Sequence, residues 1–234
     1  MSTGGEAAMA GLGFQHVFEA GTDGWTLLLL HGTGGDEHDL VSLGRQLEPT
    51  ASLLSPRGKV LEQGMPRFFR RLAVGQLDIP DLLQRTDELA AFIRAATVEY
   101  SLDPQRIVAL GLSNGANISV SLLFRHPQLL RGAALLRAML PYEPETTPAL
   151  SGTDVLLAAG EGDPYSSAQQ TRRLAEILSE GGARVVTHVA ARAGHSLTQA
   201  DVTQTAQWLR DLTQRDLTQP DLTPGEASTR RSAQ

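Results

Sequence analysis

A three-layer α/β/α sandwich around a mostly parallel sheet is the fold this sequence predicts, and three observations predict it. Short apolar runs alternate with amphipathic segments for most of the length. Several runs, Leu27-Leu28-Leu29-Leu30 and Val155-Leu156-Leu157-Ala158 among them, are apolar on successive residues, the pattern of strands buried on both faces. At 234 residues the chain suits one domain with a sizeable core. Repeated strand–helix alternation then implies right-handed crossovers, with helices covering both sides of the sheet.

Taken in order, residues 16–19 and 26–30 read as the first two strands. A helix over 37–47 follows, opened by Asp36 as its N-cap. The run 51–54 is the third strand, and 65–79 is the longest irregular insertion. Pro80 and Asp81 start a helix over 81–100. Strand 107–110 leads into helix 116–125, then come strands 133–136 and 155–159. Helix 168–180 stops at Gly181-Gly182, strand 185–189 follows, and the last helix covers 197–212. The end differs in kind. Asp211-Leu212-Thr213-Gln214-Arg215 is nearly repeated at 216–220 and again from 221, and 225–234 holds no apolar side chain larger than alanine. Such a segment cannot offset its ordering entropy by burial, so the expected division is a folded domain over 1–212 and a disordered tail over 213–234. The folded part has room for a sheet and its helices and none for a separate cap domain.

Composition narrows the function. Hydrophobic residues at 41% and charged residues at 20% describe a soluble globular chain. A net charge of −6 argues against nucleic acid or an anionic membrane as partner. Lys59 is the only lysine, and the arginines are scattered along the chain. Zero cysteines removes disulfides, thiolate metal sites and a cysteine nucleophile together. No run approaches the roughly 18 apolar residues of a membrane span. The first fourteen residues show neither a basic nor an apolar leader region, so the expectation is a cytoplasmic protein.

Gly111-Leu112-Ser113-Asn114-Gly115 carries the most chemistry. A G-x-S-x-G between a strand and a helix describes a nucleophile elbow, a tight turn that exposes the serine hydroxyl. Side chains at 111 or 115 would collide with the neighbouring strand or helix. Helix N–H groups would face any charge forming at Ser113. A serine needs a base. His195, in Ala193-Gly194-His195-Ser196 after the last strand, lies at the carboxyl edge of the sheet, as Ser113 does. His126 reads as a surface cap, His16 and His188 as structural residues, and His38 sits in the first helix with its facing open. The acid that would orient the base is Asp163, in Gly160-Glu161-Gly162-Asp163-Pro164 after the strand over 155–159. Glu161 competes locally, and an Asp-Pro turn is the simpler structural role of Asp163. The loop His31-Gly32-Thr33-Gly34-Gly35-Asp36 lacks both the Gly-Lys-Ser/Thr ending of a P-loop and the G-x-G-x-x-G spacing. It reads instead as one half of an oxyanion hole, with main-chain N–H donors at Thr33 and Asn114.

With these residues assembled, the chain resembles the phospholipase/carboxylesterase family of α/β-hydrolases, near the dienelactone hydrolases and acyl-protein thioesterases. The matching pieces are 29–37, Ser-Pro-Arg-Gly at 55–58, Gly-Leu-Ser-Asn-Gly-Ala-Asn at 111–117, Ala-Gly-Glu-Gly-Asp-Pro at 159–164 and Gly-His-Ser-Leu at 194–197. The elbow looks most like the bacterial carboxylesterase branch. Dienelactone hydrolases use a cysteine nucleophile, which this chain lacks. The resemblance implies hydrolysis of a small-molecule ester through an acyl-enzyme on Ser113, without metal or organic cofactor. An acyl thioesterase or lysophospholipase with the same three residues is the near alternative, and a non-catalytic binding protein on this scaffold the remote one. Met65, Phe68, Phe69 and Leu140, with Tyr142, are candidates for an acyl or aryl pocket, although Phe68 and Phe69 read equally well as core anchors. Arg67, Arg70 and Arg71 read as a solvated face, with recognition of an acidic substrate as the weaker idea. Similar enzymes are frequently homodimers, but no residue of this chain proves one.

Overall fold

The computed structural model of the protein describes residues 12–218. Strands β1 (His16–Glu19) and β2 (Thr26–Leu30) precede helix α1 (Val41–Leu47) and strand β3 (Ser52–Pro56). Two small hairpins follow, β4 (Val60–Glu62) with β5 (Met65–Arg67) and β6 (Arg71–Ala73) with β7 (Gln76–Leu77). The long helix α2 (Ile79–Glu99) leads to β8 (Ile107–Leu112), α3 (Asn114–Arg125), β9 (Gly132–Leu136) and β10 (Asp154–Gly160). Helix α4 (Ala168–Glu180), strand β11 (Arg184–Ala190) and helix α5 (Gln199–Thr218) complete the order.

The central sheet has seven strands in the order β1-β3-β2-β8-β9-β10-β11, parallel except for the β1–β3 pair. Side-chain alternation sorts each buried strand between two cores. Leu28 and Leu30 of β2, Ala109 of β8, Leu135 of β9 and Leu157 of β10 join residues of α2, α3 and α4 on one face. Leu27, Leu29, Leu110, Leu136 and Leu156 join α1 and α5 on the other. Burial on both faces is why these runs are continuously apolar, and the three layers follow directly.

Three expectations need correction. Helix α1 starts at Val41 rather than near 37, because Asp36 closes a turn on the His38 N–H at 2.9 Å and consecutive tight turns carry the chain to residue 40. The insertion over 65–79 is not irregular. The first hairpin turns through Gln63-Gly64, both at positive φ, a two-residue turn that suits the strand twist, and the second through Val74-Gly75, where only the glycine is at positive φ and the pairing shifts register. Helix α5 runs to Thr218, six residues into the segment expected to be a tail. Leu212 is fully buried, Arg215 reaches Asp154 at 2.8 Å, and Asp216 pairs with Arg106 at 3.0 Å. These contacts tie the end of the helix to β10 and to the segment before β8, partners that the near-repeat alone does not reveal. The rest of the predicted tail lies outside the described residues. Among the described residues no helix is long and apolar enough to cross a membrane.

Candidate active site

Ser113 sits between β8 and α3 at φ 53° and ψ −109°, a backbone region that costs a non-glycine residue roughly 1–3 kcal/mol. Two hydrogen bonds and the burial of the following helix hold it there. Its N–H donates to Leu136 O of β9 at 2.9 Å, its carbonyl accepts the Asn117 N–H at 2.9 Å, and α3 is almost wholly buried. The turn needs both glycines. A Cβ at Gly111 would lie 2.7 Å from Gly115 O and 2.8 Å from Ala116 Cα, and one at Gly115 would overlap the Leu30 carbonyl of β2. Only a hydrogen at 115 lets the helix start approach the neighbouring strand so closely.

The structure brings Ser113, His195 and Asp163 into one line. Ser113 Oγ lies 2.8 Å from His195 Nε2, and His195 Nδ1 lies 2.9 Å from Asp163 Oδ2 and 3.1 Å from Oδ1. The Asp163 carboxylate is enclosed and also accepts the Tyr165 N–H at 2.9 Å, whereas the His195 imidazole keeps 29% of its surface exposed. A carboxylate accepts only, so Nδ1 carries the proton and Nε2 is left to accept from the serine hydroxyl. Glu161 points elsewhere, accepting the Arg192 N–H at 2.8 Å. The other histidines are committed as well. His16 is buried between Phe14 O and the Tyr100 hydroxyl, His126 pairs with Asp87, and His38 faces solvent beside Glu37.

Beside the serine, the loop after β2 is held from several sides. The N–H groups of Gly34 and Gly35 donate to Pro66 O and Gly32 O, whereas those of Thr33 and Asn114 donate to no acceptor among the described residues. His31 is buried and braces the loop through both ring nitrogens. Nδ1 meets Gly32 O at 2.7 Å, and Nε2 accepts the Gly58 N–H at 2.9 Å. Burial pushes its pKa below the ordinary histidine value, in keeping with a neutral ring that must accept at Nε2. Arg57 of the Ser-Pro-Arg-Gly run grips the Glu37 carboxylate, as does Gln15 at 2.7 Å. Burial works against the charge of Glu37, and hydrogen bonds from Arg57 outweigh it, so its carboxyl stays below the usual range.

Of the pocket candidates, Met65 fits a site position. It is 38% exposed, and its Sδ borders Gly34. Leu140 is partly buried against the larger core, at the end of a turn that the Asn117 side chain fixes by accepting the Met139 N–H at 2.8 Å. Phe68 and Phe69 are enclosed in that core, so their place as pocket lining is overturned and they anchor the hairpins. The Phe68 ring lies 4.7 Å from that of His31, and its N–H donates to the Asn114 side chain at 2.7 Å. Tyr142 is tied to Ser121 at 3.1 Å and is structural. Arg67 is likewise no solvated residue. It is buried, and its Nη1 donates to Thr33 Oγ1 at 2.6 Å. Tyr165, whose ring edge meets His195 at 4.7 Å between centroids, was not legible in the sequence, because only the fold after β10 brings it there. Among the described residues no group of three His, Asp or Glu is placed to hold a metal.

The sheet, its two helical layers and a serine on a strand–helix turn define an α/β-hydrolase. The chain belongs to the phospholipase/carboxylesterase family, whose model matches residues 19–213. It is 44% identical over 197 residues to the Bacillus subtilis protein named “Putative hydrolase MhqD”, a match covering 84% of this chain and 98% of that one. A carboxylesterase structure from Bacillus cereus shares 45% identity at a TM-score of 0.82, covering 85% of this chain and 94% of the other. Acyl-protein thioesterase 1 of Mycosarcoma maydis is similar at 26% identity over 217 residues, 80% of this chain and 90% of its own.

Proposed function

We propose that the protein is a serine carboxylesterase that hydrolyses small to medium esters, short-chain acyl or aryl, through an acyl-enzyme on Ser113. The observation that carries this reading is the Ser113–His195–Asp163 line, at 2.8 and 2.9 Å, beside two main-chain donors that find no acceptor among the described residues. His195 takes the hydroxyl proton as Ser113 Oγ attacks the ester carbonyl. The Thr33 and Asn114 N–H groups receive the developing oxyanion, each such donor being worth about 2.7–4 kcal/mol in comparable sites. Asp163 stabilises the imidazolium and holds its tautomer. The imidazolium then protonates the departing alcohol. Water, deprotonated by the same histidine, attacks the acyl-serine and releases the acid. Met65, 38% exposed, and Leu140 border the acyl group in this scheme.

A p-nitrophenyl ester series from acetate to palmitate tests the substrate class, together with labelling by a fluorophosphonate probe. The expected result is turnover highest for short acyl chains and labelling that Ser113→Ala abolishes. Preference for the longest chains, or for acyl thioesters, would move the reading to the thioesterase side of the family. A wild-type protein that neither turns over nor labels would sink it.

A further inference from the structure

One buried cation lies under the whole constellation. Arg137 directly follows β9, adopts φ 58°, and its guanidinium is fully enclosed. An arginine has five side-chain N–H donors, and all five are used. Nε donates to Gly194 O at 3.0 Å. Nη1 donates to Ala158 O and Asp201 Oδ1, each at 3.0 Å. Nη2 donates to Ser196 O at 3.0 Å and to Asp201 Oδ2 at 2.6 Å.

The acceptors share one property. Gly194 and Ser196 are the two residues flanking His195. Ala158 belongs to β10, the strand that ends in the Asp163 loop, and its carbonyl also accepts the Arg137 main-chain N–H at 2.8 Å. The residue before Arg137 supplies the carbonyl that holds Ser113. Asp201 in turn fixes the turn from His195 into α5, accepting from the Thr198 N–H and hydroxyl at 2.7 Å each, with His188 at 3.6 Å on its other side. Burying an ion pair is a poor way to gain stability, since apolar side chains of the same volume frequently do as well. What apolar side chains cannot supply is a planar fork that meets two loop carbonyls and a carboxylate at fixed angles.

We propose that Arg137, locked by Asp201, is a positioning residue that sets the His195 loop so that the imidazole faces Ser113. The proposal rests on the esterase reading of that site. Removing the fork frees the carbonyls on either side of the base, and a shift of about 1 Å in a reacting group costs on the order of 100-fold in rate.

The test uses the full chain with Arg137→Met, Arg137→Lys and Asp201→Asn. For each, kcat and KM on a p-nitrophenyl ester are measured per site titrated by the fluorophosphonate, together with the rate constant of that labelling. For Arg137→Met the expected result is a kcat and a labelling rate both lower by about 10- to 100-fold, with KM within about threefold. Lysine, a cation without the fork, recovers only part. A purely structural role would lower the number of titratable sites and leave the rate per site unchanged, and that result overturns the proposal. If Arg137→Met does not fold, the near-isosteric Asp201→Asn decides. It must lower kcat per site, and an unchanged kcat refutes the idea. Inactive, unlabelled wild type would overturn the esterase reading and this proposal with it. Active wild type with unaffected variants overturns this one alone.

Discussion

Replacing Gly115 by alanine probes the closest contact in the elbow. The added Cβ would sit inside contact distance of the Leu30 carbonyl carbon and oxygen and 2.7 Å from His31 O, all backbone atoms of β2 and the loop that follows it. None of these can rotate away as a flexible side chain would, so the start of α3 must retreat. Overpacking of this kind costs about 1–3 kcal/mol, and the better helix propensity of alanine returns no more than about 1 kcal/mol. Ser113 stands two residues before the contact, so the retreat carries its hydroxyl from His195, and a displacement near 1 Å costs on the order of 100-fold. With about 0–2 kcal/mol left after that full return, and about 2–4 °C per kcal/mol for a domain of this size, the expected loss in Tm is up to about 8 °C. Thermal unfolding followed by circular dichroism, with kcat on p-nitrophenyl acetate, measures both. A Gly115→Ala protein with wild-type kcat and an unchanged or higher Tm would refute the idea that helix and strand meet there without room for a methyl group.

Asp163→Asn preserves shape but presents an amide to His195 Nδ1. An amide no longer dictates the tautomer, so kcat should fall about 10⁴-fold with Tm nearly unchanged, read by steady-state kinetics and a melt. His31, held below its ordinary pKa by burial, stays neutral in the folded protein while the unfolded chain takes up a proton below about pH 6.5. Its contribution to stability is therefore present above that pH and lost as pH falls toward the depressed folded value. Urea unfolding at pH 7.5 and 5.5 should show wild type losing more stability than His31→Asn across that interval, and equal losses would contradict the assignment. Tyr165 is 41% exposed with its ring edge against His195, so Tyr165→Ala should slow aryl esters about 2- to 10-fold relative to alkyl esters, measured as a ratio of kcat/KM.

The layers and the three side chains of the candidate site were readable because each depends on local pattern. Continuous apolarity marks β2 and β10, and Ser113, Asp163 and His195 each stand in a short loop after a strand. What escaped depends on long-range placement. Gln63-Gly64 and Val74-Gly75 lack the Asn-Gly or Asp-Gly signature, so the hairpins looked irregular. Helix α5 outran its predicted end because Asp154 and Arg106, far away in sequence, supply its last partners. Arg67 passed for a surface residue because nothing local announces that Thr33 waits to receive its guanidinium. Arg137 was invisible for the same reason. An arginine closing an apolar strand looks like a solvent-facing end until the loops that wrap it are known.

Solvent already touches the outer side of the His195 ring in the resting molecule. A water molecule can therefore arrive at this imidazole without any part of the chain swinging aside. On the esterase reading, clearing the acylated serine is then a matter of chemistry and supply, not of gating. The same openness leaves the fate of the bound acyl group to competing alcohols as well as to water, so added methanol should partition the intermediate toward transesterification.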